Sequence, residues 1–84
     1  MKDKDKLKKK ILYRSSHRGT KEMDLLLGNF VKKYIDSFSH IELKELLILL
    51  MVEDEIINKW YFKNETNVKI KNTSIFNLFK NFKM

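Results

Sequence analysis

The fold of this chain is decided by residues 39–52, which read SHIELKELLILLMV. Ser39 and Glu42 have the spacing of a capping box, in which each side chain accepts a hydrogen bond from the other residue's backbone amide. We expect this box to begin a helix that extends to about Val52. Because the last seven residues of the stretch are apolar on nearly every side, the helix is predicted to lie at the centre of a bundle. Its buried stripe is formed by Leu43, Leu46, Leu47 and Leu50.

Two longer amphipathic helices are predicted before this stretch. The first runs from about Asp5 to His17, and Gly19 is expected to end it in the left-handed conformation. Its inner side holds Leu7, Ile11, Leu12 and Ser15. The second covers about residues 20–38, because apolar side chains recur there at the spacing of one helical face. These are Met23, Leu26, Leu27, Phe30, Val31 and Tyr34. Gly28 lowers helix stability by about 1 kcal/mol relative to alanine, so we expect close packing against a neighbouring helix there.

Two shorter helices are predicted after residue 52. The acidic residues 53–55 suit the positive end of a helix dipole, and they begin the fourth helix. Its inner face holds Ile56, Ile57, Trp60 and Tyr61. Residues 65–72 are interpreted as a loop, although two apolar residues alternate with lysines there as in a strand. Thr73 or Ser74 can cap a fifth helix, whose apolar face holds Ile75, Leu78, Phe79 and Phe82. The predicted fold is all-α, a compact bundle of about five helices.

The composition indicates one helical domain. The chain has 84 residues, no proline, no cysteine and only two glycines. The scarcity of helix breakers favours long helices, and the lack of cysteine excludes disulfides and thiolate metal sites. His17 and His40 do not have the spacing of a local metal-binding pair, so no metal is expected. Residues 1–6 are predicted to be a flexible basic N-terminus, and residues 7–84 a single domain.

The net charge of +7 is concentrated at the two ends of the chain. Residues 1–10 and 63–84 each carry +4, whereas residues 11–62 carry −1. Nucleic-acid-binding proteins usually concentrate positive charge where the contacts are made, so the central region argues against nucleic acid as the partner. No apolar run approaches the roughly 20 residues that span a bilayer, and the N-terminus lacks the apolar segment of a secretory signal. The expected location is a bacterial cytoplasm, with a mature organelle protein as the alternative.

Arg18, Gly19 and Glu22 form the pattern R-G-x-x-E at the predicted boundary between the first two helices. If Gly19 is the N-cap of the second helix, Glu22 occupies the third helical position, where its carboxylate can reach the N-cap amide. Arg18 is then a partner of the helix dipole or a solvated charge. In the functional interpretation, Arg18 and Glu22 project toward a partner, and the glycine permits close backbone approach. The two roles can coexist.

The residues around this pattern resemble the SdhE family, also called succinate dehydrogenase assembly factor 2. The resemblance is carried by the intact R-G-x-x-E, by Tyr13-Arg14-Ser15 and His17 before it, and by KEMDLLLGNF at residues 21–30. These flanks are similar to the alphaproteobacterial branch. Trp60 follows an acidic turn as the family tryptophan does, but Glu55 stands where the family usually has proline. The similarity covers residues 7–62 well and residues 73–82 weakly.

The resemblance implies an assembly chaperone and not an enzyme. SdhE-like proteins bind the FAD-loaded flavoprotein subunit of succinate dehydrogenase and assist the bond between a flavoprotein histidine and a methyl group of the isoalloxazine ring. The expected partner-binding residues are Arg14, His17, Arg18, Gly19, Glu22 and Asp24. No catalytic, metal-binding or cofactor-binding residue is expected, because FAD belongs to the client and the chain has no βαβ unit or G-x-G-x-x-G. The fumarate reductase flavoprotein is a second candidate client, and the chain is expected to be a monomer before binding.

Two other functions stay open on the residues alone. One is a small basic helical nucleic-acid-binding protein, which a steep salt dependence of binding to any duplex would favour. The other is a generic helical adaptor for an unrelated protein. Co-purification with a flavoprotein would separate both from the assembly factor.

Overall fold

The computed structural model describes residues 2–83, and five helices and no strand occur among them. They are α1 (Lys2–Ser15), α2 (Lys21–Tyr34), α3 (His40–Leu50), α4 (Asp54–Lys63) and α5 (Ser74–Lys80). The predicted all-α bundle of about five helices is confirmed, and residues 65–72 lie in a loop as predicted. Met1 and Met84 lie outside the described residues, and the flexibility of residues 1–6 stays a prediction. None of the helices within residues 2–83 combines the length and the apolar character that a membrane span requires.

The helix ends follow local side-chain chemistry. Ser39 and Glu42 form the predicted capping box, with Ser39 N donating to Glu42 Oε1 at 2.8 Å. Thr73 caps α5 by accepting a hydrogen bond from Phe76 N. The end of α2 differs from the prediction, because the helix stops at Tyr34, four residues before the predicted residue 38. The Ser37 hydroxyl donates to the Tyr34 carbonyl at 2.9 Å there, which offers the backbone an alternative to further helical turns.

The core forms around α3, which packs against α1 and α5. Four side chains of α3 are buried, namely Leu43, Leu46, Leu49 and Leu50. Leu47, predicted as part of the stripe, is only partly buried, since Leu49 takes the inward position. Trp60 is buried as predicted.

Aromatic side chains connect α2 to the C-terminal part of the chain. The Phe30 ring forms edge-to-face pairs with the rings of Phe79 and Phe82, at centroid distances of 5.1 and 5.3 Å. Such edge-to-face pairs add to the stabilisation from burial alone. The Lys80 ammonium also donates to the carbonyls of Trp60 and Tyr61 at the end of α4. The short α5 is therefore attached by both apolar and polar contacts.

Two expectations about the helix faces are wrong. Leu12, predicted on the inner side of α1, is 44% exposed, because Ile11 and Ser15 occupy the buried positions of that turn. Gly28, predicted to allow close helix packing, has no atom within 4 Å of the position that a Cβ would take. Leu12 and Gly28 both line one open groove between α1 and α2.

Leu46→Ala should lower the free energy of unfolding by about 2–5 kcal/mol, because it removes a fully buried side chain from the central helix. Urea titration followed by circular dichroism measures this change. Ile48→Ala on the same helix is the control, since Ile48 is 46% exposed, and its effect should stay below about 1 kcal/mol. Equal losses for the two variants would contradict the described core.

Gly28→Ala should raise the free energy of unfolding by about 0.5–1 kcal/mol, because the new methyl group enters open space and alanine favours the helix. Gly28 does not have a positive φ, so alanine adopts its conformation without strain. Thermal and urea unfolding measure the gain. A destabilised Gly28→Ala protein would show that the space beside this residue is closed.

Candidate functional site

The connection between α1 and α2 is a tight corner that contains the R-G-x-x-E pattern. The hydroxyls of Ser15 and Ser16 both donate to the Leu12 carbonyl at 3.0 Å. These bonds compete with the helical amides, and α1 ends at Ser15, two residues before the predicted end. Gly19 has no positive φ, so its predicted left-handed conformation is wrong. The end of α1 thus coincides with the hydrogen bonds of the two serine side chains, and it does not depend on a left-handed glycine.

Thr20 is the N-cap of α2. Its hydroxyl oxygen accepts a hydrogen bond from Met23 N at 3.2 Å. The assignment of Gly19 as the N-cap is therefore wrong, and Glu22 occupies the second helical position instead of the third. Because threonine performs the capping, the exposed Glu22 side chain is not needed for it. Its carboxylate still lies near the positive end of the α2 dipole.

The Arg18 side chain is buried, with only 8% of its surface exposed. Its Nε donates to Asp54 Oδ1 at 2.8 Å, and Nη2 lies 2.5 Å from the same oxygen. Nη1 donates to the Leu50 carbonyl at 2.5 Å, and Nη2 donates to the Val52 carbonyl at 3.0 Å. The Leu50 carbonyl belongs to the last turn of α3, where carbonyls lack partners within the helix. Arginine suits this place because its planar guanidinium presents several donors in a fixed arrangement.

Asp54 is the first residue of α4, and it binds two consecutive residues of the corner. Its Oδ1 receives the Arg18 guanidinium, and its Oδ2 accepts a hydrogen bond from Gly19 N at 2.6 Å. A Cβ on residue 19 would lie 3.2 Å from Oδ2, closer than ordinary van der Waals contact. The close backbone approach expected at Gly19 therefore occurs within the chain, toward Asp54. The carboxylate beside it favours glycine here, because a side chain would require Asp54 to shift.

Asp24 reinforces the corner from the α2 side. Its Oδ1 accepts a hydrogen bond from Arg18 N at 2.7 Å, and its side chain is half-buried. The backbone and the side chain of Arg18 are thus held by two different carboxylates. As a result, Arg18, Gly19 and Asp24 all lie in one hydrogen-bonded cluster with Asp54.

The other predicted site residues, Arg14, His17 and Glu22, are exposed. The His17 ring stacks on Tyr13 with ring centroids 4.0 Å apart, and its Nδ1 lies 2.7 Å from the Tyr13 carbonyl. Since a carbonyl only accepts, Nδ1 carries the proton in this contact. These bonds fix the imidazole against the last turn of α1. We call the exposed residues Tyr13, Arg14, His17 and Glu22 the motif surface.

A further ion pair lies beside Asp54. Lys69 Nζ donates to Glu53 Oε2 at 2.7 Å, and this hydrogen bond is the main reason why the pKa of Glu53 is lowered from its ordinary value of 4.5. A lowered carboxyl pKa stabilises the fold above the ordinary pKa, and the contribution is lost as the pH falls through the lowered pKa. Because both side chains are more than half exposed, solvent screens the pair and its contribution is small.

Residues 9–83 match the model of a protein family described as the flavinator of succinate dehydrogenase. The match includes the whole corner and four complete helices. This chain belongs to the flavinator family. The resemblance to SdhE proteins is therefore confirmed, and the R-G-x-x-E pattern lies within the matched residues. The search of solved structures gave no significant match.

Individual relatives of this flavinator-family chain carry names of the same kind. The mitochondrial succinate dehydrogenase assembly factor 2 of Dictyostelium discoideum is 41% identical over 59 residues, which are 70% of this chain and 42% of that protein. The protein of that name from Scheffersomyces stipitis is 44% identical over 55 residues, 66% of this chain and 37% of its own. The FAD assembly factor SdhE of Acetobacter pasteurianus is 33% identical over 55 residues, 66% of this chain and 50% of its own. The chain thus spans half or less of the length of these relatives.

Asp54 is the residue of the flavinator corner that the sequence analysis did not select. The available signal was the acidic turn at residues 53–55, together with the family's acidic turn before the tryptophan. By itself, that turn predicts only a favourable start for α4. Asp54 lies 36 residues from Arg18, so no helical period or local spacing relates the two. The two signals for this pair are an arginine that the local sequence leaves without an assigned acidic partner and an acidic turn elsewhere in the chain.

The Arg18–Asp54 pair should show a coupling energy of about 1–3 kcal/mol in a double-mutant cycle, because both groups are largely buried and hydrogen-bonded. The cycle uses Arg18→Ala, Asp54→Ala and the double variant, with unfolding by urea. Arg18→Ala alone should destabilise by about 3–5 kcal/mol, since it leaves the Asp54 charge poorly paired.

The matched control for this cycle is Glu55 with Lys59, an exposed ion pair one helical turn apart on α4. Its coupling should not exceed about 0.5 kcal/mol. A coupling between Arg18 and Asp54 as small as that of the control would contradict the structural role of the arginine.

Proposed function

We propose that this chain is an assembly factor that binds the flavoprotein subunit of succinate dehydrogenase and promotes the covalent attachment of its FAD. The observation that carries the proposal is the flavinator-family match over residues 9–83, which includes an intact R-G-x-x-E. Relatives from a bacterium and from eukaryotes are named as assembly factors for the same enzyme or for FAD. The chain acts by binding, and it carries no catalytic residue in this proposal.

The geometry of the corner supports a pre-organised binding surface. The Arg18 contacts fix the α1–α2 corner against the junction of α3 and α4. The motif surface then meets the client with little loss of conformational freedom, which favours tight binding. Glu22 offers an exposed carboxylate for a charge-assisted hydrogen bond with a basic group or a backbone amide of the client.

The six proposed partner-binding residues divide into two groups by their contacts within the chain. Arg14, His17 and Glu22 are exposed and contact the client directly in this proposal. Arg18, Gly19 and Asp24 act mainly by positioning, because their polar groups already bind one another or Asp54. A substitution in the second group should therefore affect stability and binding together, whereas one in the first group should affect binding alone.

FAD belongs to the client in this proposal, and the flavoprotein supplies the histidine that becomes bonded to it. The chain favours the flavoprotein conformation in which that histidine and the flavin are aligned. A binding partner shifts such an equilibrium only by its difference in affinity for the two conformations. The chain must therefore bind the aligned flavoprotein more tightly than the misaligned one. A bacterial cytoplasmic location and the fumarate reductase flavoprotein as a second client belong to the same proposal.

Glu22→Ala should reduce covalent flavin on the succinate dehydrogenase flavoprotein at least several-fold while the chain stays folded. The residue is exposed and Thr20 performs the capping, so the stability loss should not exceed about 1 kcal/mol. The measurement is flavin fluorescence that survives denaturing electrophoresis, in cells that lack their own assembly factor and express this chain or a variant.

The matched control for this experiment is Glu55→Ala. Glu55 is also exposed and also occupies the second position of its helix, but it lies on α4. Flavinylation should be normal with this variant. If Glu22→Ala and Glu55→Ala proteins both restored full flavinylation, Glu22 would not be a client contact.

A further inference from the structure

Gly28 lies in the middle of α2, and no contact within the chain accounts for it. A Cβ at this position would meet nothing within 4 Å, and the residue has no positive φ that would require glycine. A glycine in a helix interior is less favourable than alanine by about 1 kcal/mol. Gly28 thus lowers the stability of the helix, and its local effect is to leave the space beside α2 open.

That space is a groove of about 360 Å³ between α1 and α2. Its apolar walls include Leu12 on α1 and Leu25 on α2, which are 44% and 50% exposed. Gly28 is part of the lining, so a larger side chain there would project into the groove. Two large apolar side chains exposed beside an empty groove leave surface that a partner can cover.

The hydroxyls and one carboxylate oxygen of the groove already have partners in the chain, and the exposed Lys32 also lines it. The hydroxyls of Ser15 and Ser16 donate to carbonyls of the last turn of α1. Asp24 Oδ1 accepts the hydrogen bond from Arg18 N. An occupant therefore gains little from the hydroxyls and from Asp24 Oδ1, and its apolar contacts are with the two leucines, while Lys32 is left for a polar group beside it. The exposed leucines of the groove therefore favour an apolar side chain as the occupant.

The groove is continuous with the corner that the proposed function assigns to the client. Asp24 belongs both to the hydrogen-bonded cluster of the corner and to the groove lining. Leu25 follows Glu22 by three residues on α2, so the two side chains are neighbours on one helix face. A client that contacts Glu22 thus extends directly over the groove.

We propose that this groove receives one apolar side chain of the succinate dehydrogenase flavoprotein subunit, next to the contact with Glu22. The inference rests on the proposed function and adds to it the apolar anchor of the interface. At about 360 Å³ the groove is small for a small-molecule site, whose usual range is about 300–1,000 Å³, and it has room for one large apolar side chain. In many protein interfaces a few residues supply most of the binding energy. An apolar side chain that fills a pocket beside charged contacts is typical of such residues.

The test is the affinity of the purified full-length chain for the purified flavoprotein subunit, measured by calorimetry. Gly28→Leu fills the groove and should weaken binding about tenfold or more. Leu25→Ser removes one apolar wall and should weaken binding in the same direction, and as an exposed residue it keeps the core intact. Asn58→Leu is the matched control, because it adds an exposed leucine to α4, and its affinity should stay within about twofold of the unmodified chain.

Circular dichroism of every variant confirms folding before the titrations. If folded Gly28→Leu and Leu25→Ser proteins bound the flavoprotein as tightly as the unmodified chain, the groove proposal would be overturned while the proposed function stood. If the unmodified chain itself did not bind the flavoprotein, the proposed function would fail first. If sedimentation showed that the unmodified chain is a dimer and that Gly28→Leu dissociates it, the occupant would be a second copy of the chain, and the proposal would likewise be overturned.

Discussion

The Arg18 guanidinium connects two helical corners that are far apart in the sequence, and the positions of the candidate site residues depend on it. It pairs with Asp54 and donates to the carbonyls of Leu50 and Val52, so one side chain satisfies acceptors at the end of α3 and at the start of α4. A charge this buried is costly unless it is paired and hydrogen-bonded. These contacts supply the compensation, and they leave the arginine little freedom to move.

The same cluster explains why the three motif residues occur together. A side chain at Gly19 would make a close contact with Asp54 Oδ2, the oxygen to which the Gly19 amide donates. With Arg18 and Gly19 both bound to Asp54, the chain enters α2 in a fixed direction. Glu22 is then presented on the first turn of α2, exposed and near the positive end of the dipole. Two motif residues therefore make contacts inside the protein, and the third, Glu22, is exposed.

A rigid corner beside an open groove suits a protein that works by binding. In the proposed interface, Glu22 supplies a polar contact with the client, and Leu12 and Leu25 supply the apolar area that is desolvated on binding. In that proposal Gly28 links stability to binding, because a larger side chain at this position would project into the groove at the same time as it favoured the helix. Natural proteins commonly accept such local losses of stability where a partner must bind.

The sequence by itself determined the helical fold and most of its core. The capping box at Ser39, the period of α2 and the lack of proline are local signals, and local signals are sufficient for helices because helical hydrogen bonds join residues four apart. The residues of the R-G-x-x-E pattern were also evident from the sequence. Only the tertiary structure decided their roles, because the Arg18–Asp54 contact joins residues 36 positions apart. The open space at Gly28 and the exposure of Leu12 likewise depend on how α1 and α2 cross. Helix periodicity gives the face that a side chain occupies, whereas the neighbour across that face is decided by packing.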